Sequence, residues 1–114
     1  MSSGGVLEIG DRTTINYGSS IAVAGLVRLG AHCRLGTYVM LVDNDFHAIA
    51  RRGKLPKPRP IILEDNVWLA NGSMVLPGVT IGHDSVIGAG SVVTANIPPR
   101  SVAFGNPARV IRTF

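Results

Sequence analysis

The chain has 114 residues, a formal net charge of +4 and 46% hydrophobic residues, with aromatics at only 5%. That length holds one domain, and no apolar run approaches the ~20 residues of a membrane-spanning helix. A basic balance suits an anionic partner, but the basic stretch has no aromatic side chain on which bases could stack, which argues against nucleic acid.

In chain order, residues 1–5 read as a disordered leader. From there aliphatic residues return every six positions. Ile9, Ile15 and Ile21 form the first set, and Leu29, Leu35 and Leu41 the second, after a slip of two residues across Gly25, Leu26, Val27 and Arg28. Leu63, Leu69, Val75, Ile81, Ile87 and Val93 continue without a break. The next residue is often small (Gly10, Gly30, Gly36, Ala70, Gly82, Gly88). Four positions after the aliphatic comes a small or β-branched residue, as at Thr13, Ser19, Cys33, Val39, Ser73, Ser85, Ser91 and Ile97.

A period of six fits neither an α-helix nor a plain alternating strand. It fits a short strand and a turn, with three such units per ~18-residue coil of a triangular parallel β-solenoid. The spacing predicts an all-β prism of about four to five coils, aliphatics inward and small residues at the corners. The prolines Pro98 and Pro99 end the period, and residues 99–114 are expected to fold back as a C-terminal cap.

One stretch breaks the rhythm. Asp43, Asn44, Asp45, Phe46 and His47 open a loop spanning residues 43–60, in which Arg51, Arg52, Lys54, Lys57 and Arg59 follow. A charged loop on a regular scaffold is the usual layout of a functional site. His47 has the right chemistry for a general base near neutral pH. Asp43 and Asp45 could orient the imidazole or cap the turn, and both roles stand open. Asn44, Arg51 and Arg52 are candidates for an anionic acceptor; the basic half of the loop could equally be a solvated return. Cys33 sits in a small inward slot and reads as core. As the only cysteine it cannot form an intrachain disulfide, which fits the cytoplasm. His32 and His83 sit at turn positions and read as surface residues.

The motifs Asp65-Asn66-Val67-Trp68-Leu69-Ala70, Val75-Leu76-Pro77-Gly78-Val79-Thr80-Ile81-Gly82, Val86-Ile87-Gly88-Ala89-Gly90-Ser91-Val92-Val93-Thr94 and Gly105-Asn106-Pro107-Ala108-Arg109-Val110-Ile111-Arg112 resemble the hexapeptide-repeat acyltransferases. The likeness spans residues 6–114 and is nearest to the maltose/galactoside O-acetyltransferase and xenobiotic acetyltransferase branch. The loop resembles that of enzymes that acetylate surface polysaccharide sugars.

The resemblance implies a left-handed β-helix and a homotrimer, with acetyl-CoA as co-substrate in the groove between neighbouring prisms. It implies a catalytic histidine on the loop. Trp68 would lie by the cleft, Asn71, Ala89 and Thr94 by the pantetheine arm or acetyl group, and Arg109 and Arg112 by the coenzyme phosphates. It also implies transfer to a sugar hydroxyl. Amino-sugar N-acetylation, acetylation of serine or an antibiotic, and a non-catalytic scaffold are the alternatives. A zinc hydratase on the same scaffold is disfavoured, because its H-x4-H pair is missing: the residue five after His83 is Gly88.

Overall fold

The computed structural model describes residues 4–44 and 57–114, and among these it contains strands and turns but no helix. The first coil carries β1 (Val6–Ile9), β2 (Thr14–Ile15) and β3 (Ser20–Ala22). The second carries β4 (Leu26–Leu29), β5 (Arg34–Leu35) and β6 (Met40–Val42). The third carries β7 (Ile61–Leu63), β8 (Trp68–Leu69) and β9 (Met74–Val75), and the fourth β10 (Thr80–Ile81), β11 (Val86–Ile87) and β12 (Val92–Val93). The chain closes with β13 (Ser101–Gly105) and β14 (Ala108–Thr113).

Every third strand stacks on its predecessor, so the coils form a three-sided parallel solenoid. Face 1 runs β1-β4-β7-β10, face 2 runs β2-β5-β8-β11-β13-β14, and face 3 runs β3-β6-β9-β12. Each six-residue aliphatic faces inward onto its counterpart: Leu29 on Leu63, Leu35 on Leu69 on Ile87, Leu41 on Val75 on Val93. These side chains are almost wholly buried from the second coil onward. Each contributes about 1.5–3 kcal/mol by leaving water. The first coil has no neighbour beneath it, and Ile9 and Ile15 remain 47% and 37% exposed.

The small residues at the corners do more than fit. Thr13 Oγ1 donates to the Gly30 carbonyl and accepts from the Cys33 N–H, at 2.6 and 3.0 Å. Ser19 Oγ spans Gly36 and Val39 in the same manner, and Ser85 Oγ spans Pro98 and Ser101. A hydroxyl in the slot thus satisfies a donor and an acceptor of the next coil where the ladder turns away. Gly10 follows its aliphatic because the Gly30–Ala31 backbone passes over it; a Cβ there would meet backbone atoms at 2.6–2.7 Å.

The upper end differs from the expectation in two respects. The period shortens and does not end at the prolines: Ile97 pairs with Ile81 and Ala103 with Ile87, sixteen residues apart instead of eighteen. Ile97 therefore takes the inward aliphatic place of a partial fifth coil. Moreover, the last segment is an antiparallel hairpin whose first strand extends face 2. Ala108 packs against the core from this hairpin. The closure is a continued sheet because Ser101 and Ala103 present small side chains inward, both fully buried.

Candidate functional site

The two-residue slip seen in the sequence has a structural purpose. First- and second-coil strands pair at a spacing of twenty, as Ile9 with Leu29, whereas Leu63 and Ile81 pair at eighteen. The longer turn between β3 and β4 turns the N–H groups of Ala24, Gly25 and Leu26 toward one point. The Asp43 carboxylate occupies it. Oδ1 accepts from Ala24 at 2.8 Å and from the Asn44 amide at 2.9 Å; Oδ2 accepts from Gly25 and Leu26 at 2.8 and 2.9 Å. Burial pushes the Asp43 carboxyl up, but these four hydrogen bonds outweigh it and hold the group below its ordinary value.

The loop leaves and returns through a closed neck. The Asp43 carbonyl accepts from the Arg59 N–H at 2.8 Å, and the Arg59 carbonyl accepts from the Gly78 N–H of the next coil at 3.1 Å. Pro58 packs against Gly25, where a Cβ would stand 2.9 Å from the proline ring. The neck lies on the edge between faces 3 and 1. His47, Asp45, Arg51 and Arg52 lie outside the described residues.

Among the described residues the Asp43 carboxylate caps the turn between β3 and β4. Its side chain is 0% exposed and its four acceptor sites are filled. Asn44, expected to face an acceptor, is instead buried with its amide nitrogen turned onto Asp43, because the buried carboxylate needs a fourth donor.

The expected coenzyme residues occupy other parts of the prism. Asn71 and Ala89 stack on the edge between faces 2 and 3; the Gly90 N–H donates to the Asn71 carbonyl at 2.9 Å. Asn71 Oδ1 is taken by the Thr37 N–H at 3.0 Å, so this side chain braces the corner below. Thr94 follows β12 on the same edge as the neck, two coils above it. Trp68 projects from face 2, 46% exposed, with the Arg34 guanidinium 5.4 Å from its ring centre.

Arg109 and Arg112 sit on the exposed outer strand. Three residues apart, they would point to opposite sides of a regular strand. A register shift prevents that: Arg109 pairs with Phe104 and Arg112 with Val102. Phe104 and Val102 both face outward, so both arginines border the same outer surface of face 2. The Arg112 guanidinium lies 5.8 Å from the Phe114 ring. No signal in the sequence marks this bulge.

Within one chain, then, the parts form two groups. Trp68, Asn71, Ala89, Arg109 and Arg112 line face 2 and its edge with face 3. Asp43, Asn44, the neck and Thr94 line the far edge of face 3. Cys33 is fully buried, with Sγ 3.2 Å from the Glu64 carbonyl, and burial raises its thiol above the ordinary value. His83 sits at an exposed corner against Asp84, as the sequence suggests, with Nδ1 2.8 Å from Oδ2.

Residues 60–95 match the family described as bacterial transferase hexapeptide (six repeats). The chain is 39% identical over 106 residues to the galactoside O-acetyltransferase of Escherichia coli, covering 93% of this chain and 47% of that one. Its fold matches a galactoside acetyltransferase solved in complex with coenzyme A, with a TM-score of 0.87 and 38% identity, over 94% of this chain and 55% of the other. It also matches a hexapeptide-repeat acetyltransferase of Vibrio cholerae complexed with acetyl coenzyme A, with a TM-score of 0.86 and 31% identity, over 94% and 60%. The chain spans about half the length of the curated relatives it matches.

Proposed function

We propose that the chain, whose residues 60–95 match the family described as bacterial transferase hexapeptide (six repeats), is an acetyl-CoA-dependent O-acetyltransferase acting on a hydroxyl of a sugar or glycan precursor. The observation that carries this reading is the continuous outer surface of face 2. It bears an aromatic platform at Trp68, two stacked corner turns at Asn71 and Ala89, and an arginine pair brought to one side by the bulge. Guanidinium groups suit coenzyme phosphates through bidentate contacts. Two of the matched structures hold coenzyme A or acetyl coenzyme A.

In the proposed reaction His47 takes the proton of the acceptor hydroxyl. The oxygen attacks the thioester carbonyl, a C–O bond forms, and the C–S bond breaks. The proton passes from the imidazole to the departing thiolate. A backbone N–H near Asn71 would stabilise the oxyanion, where one donor is worth about 3–4 kcal/mol. Acetyl-CoA serves as co-substrate, and the transfer is direct. Asp43 acts as a positioning residue that anchors the loop.

The proposal includes a homotrimer with its sites between subunits, in which the loop edge of one prism would meet the coenzyme edge of another. An outward apolar column on face 3, Met40, Met74 and Val92, supports such packing. Among the described residues no helix is long and apolar enough to cross a membrane, and we place the protein in the cytoplasm on its single buried thiol.

The test is thiol release from acetyl-CoA across hexoses, amino sugars, nucleotide sugars, serine and streptogramins. Release with a sugar or glycan precursor that offers a hydroxyl is expected, and His47→Ala should lower kcat at least a hundredfold without changing the sedimentation mass. Activity within a few-fold of the parent would remove His47 from the mechanism. Preference for an amino group would turn the reading to N-acetylation. Coenzyme binding without release from any acceptor would leave a scaffold.

A further inference from the structure

A second cationic feature lies at the lower end of face 2, away from Arg109 and Arg112. Arg12, Thr14, His32, Arg34 and Asn66 line a surface depression of about 260 Å³. Arg12, His32 and Asn66 share a corner in three successive coils, and all three hold the same left-handed backbone, φ 58°, 59° and 58°. The repeated conformation stacks their side chains in one column along the edge between faces 1 and 2. Thr14 and Arg34 are paired neighbours on the adjoining strands, and Arg34 pairs in turn with Trp68.

The charge there is unbalanced. Among the described residues neither Arg12 nor Arg34 lies within ion-pair distance of a carboxylate, and no acidic side chain lines the depression. Of the nearby acids, Asp65 accepts from the Ala31 N–H and Asp84 holds the Asn66 amide and His83, while Asp11 precedes Arg12 in the chain without forming an ion pair with it. The Arg34 guanidinium carbon lies 5.4 Å from the Trp68 ring centre, and its N–H groups have the fork geometry that suits a planar anion. Beside it, the indole offers an apolar platform that suits the C–H face of a sugar ring.

We propose that this depression is an anion subsite for the acceptor, and that the acceptor is a sugar bearing a carboxylate or a phosphate. The inference rests on the proposed acetyl transfer and names its substrate class. Position favours the acceptor over the coenzyme. Arg109 and Arg112 lie on β14, four strand spacings above β5, or about 19 Å. The two cationic sites thus stand at opposite ends of one face, with Trp68 between them.

Trp68 is the only tryptophan, so its fluorescence reports directly on this surface. Titration with glucuronate and with glucose 6-phosphate should give a saturable change, and glucose at equal concentration should give none; whichever anion binds more tightly identifies the carboxylate or the phosphate class. Arg34→Gln and Arg12→Gln should each weaken the response at least tenfold while leaving coenzyme A affinity unchanged. Arg34→Lys, which keeps the charge and loses the fork, should recover only part. An equal response to glucose, no response to either anion, or an unchanged affinity in Arg34→Gln overturns the proposal. So does an Arg34→Gln change that weakens coenzyme A alone. Fluorescence binding without thiol release from acetyl-CoA would uphold the subsite and remove the transferase reading.

Discussion

Replacing Asp43 separates an anchoring carboxylate from one that tunes a base. In Asp43→Ala, the N–H groups of Ala24, Gly25 and Leu26 and the Asn44 amide lose their acceptor at a buried point. Each stranded donor costs about 1–3 kcal/mol, and partial rescue by water brings the sum to roughly 3–5 kcal/mol. Asp43→Asn should cost about 2–4 kcal/mol, because whichever way the amide turns its NH2 meets two donors. Equilibrium urea unfolding measures both. The pH dependence gives a second reading. The folded carboxyl lies below its ordinary value, so its ionised form contributes stability fully present above about pH 4. That contribution is lost as pH falls through the lower folded value, and Asp43→Asn should flatten the acid limb. A residue that merely oriented an imidazole would show the reverse pattern, with kcat falling and unfolding hardly moved. A stability loss under 1 kcal/mol with a collapse of kcat refutes the anchoring argument.

Arg109→Ala should raise the KM for acetyl-CoA at least fivefold and leave the acceptor KM nearly unchanged in steady-state kinetics; the opposite split would remove the arginine pair from the coenzyme site. Cys33, fully buried with a raised thiol pKa, should not react with an aromatic disulfide reagent until the chain unfolds, and stoichiometric labelling of the native protein would contradict its core placement. Met74→Glu puts a charge into the outward column of face 3 and should dissociate a trimer without unfolding the coil. A sedimentation mass unchanged from the parent would move the contact to another face.

The solenoid was legible because its physical rule is local. An inward aliphatic every six residues fixes the coil, and the sequence states it from Ile9 to Val93. The sixteen-residue last coil was not, because Ile97 stands four residues after Val93 and so looks like a corner filler; only its bridge to Ile81 reveals the stacking. The register shift in the final hairpin is likewise silent, since Arg109, Val110, Ile111 and Arg112 would suit a regular strand. Asp43 and Asn44 were recognised as special, yet which way they face depends on Ala24, Gly25 and Leu26, some twenty residues earlier. Arg12 and Arg34 escaped notice because they occupy ordinary outward positions of the repeat. The depression they both line exists only once coils stack at a spacing of twenty.

The two departures from regularity in the lower coils are one device. A two-residue surplus between β3 and β4 would weaken a solenoid if nothing filled it, since it leaves three N–H groups without a ladder partner. The start of the loop one coil above supplies the missing acceptor, and Pro58 at its return packs on the glycine of the same turn. Each irregularity thus satisfies the other. Their joining point fixes both ends of the loop at a corner with no freedom to slide, so a long charged excursion costs the prism little order. The prism can therefore carry a loop of unrelated composition while its coils keep their register, and the chemistry of the loop can vary without disturbing the core.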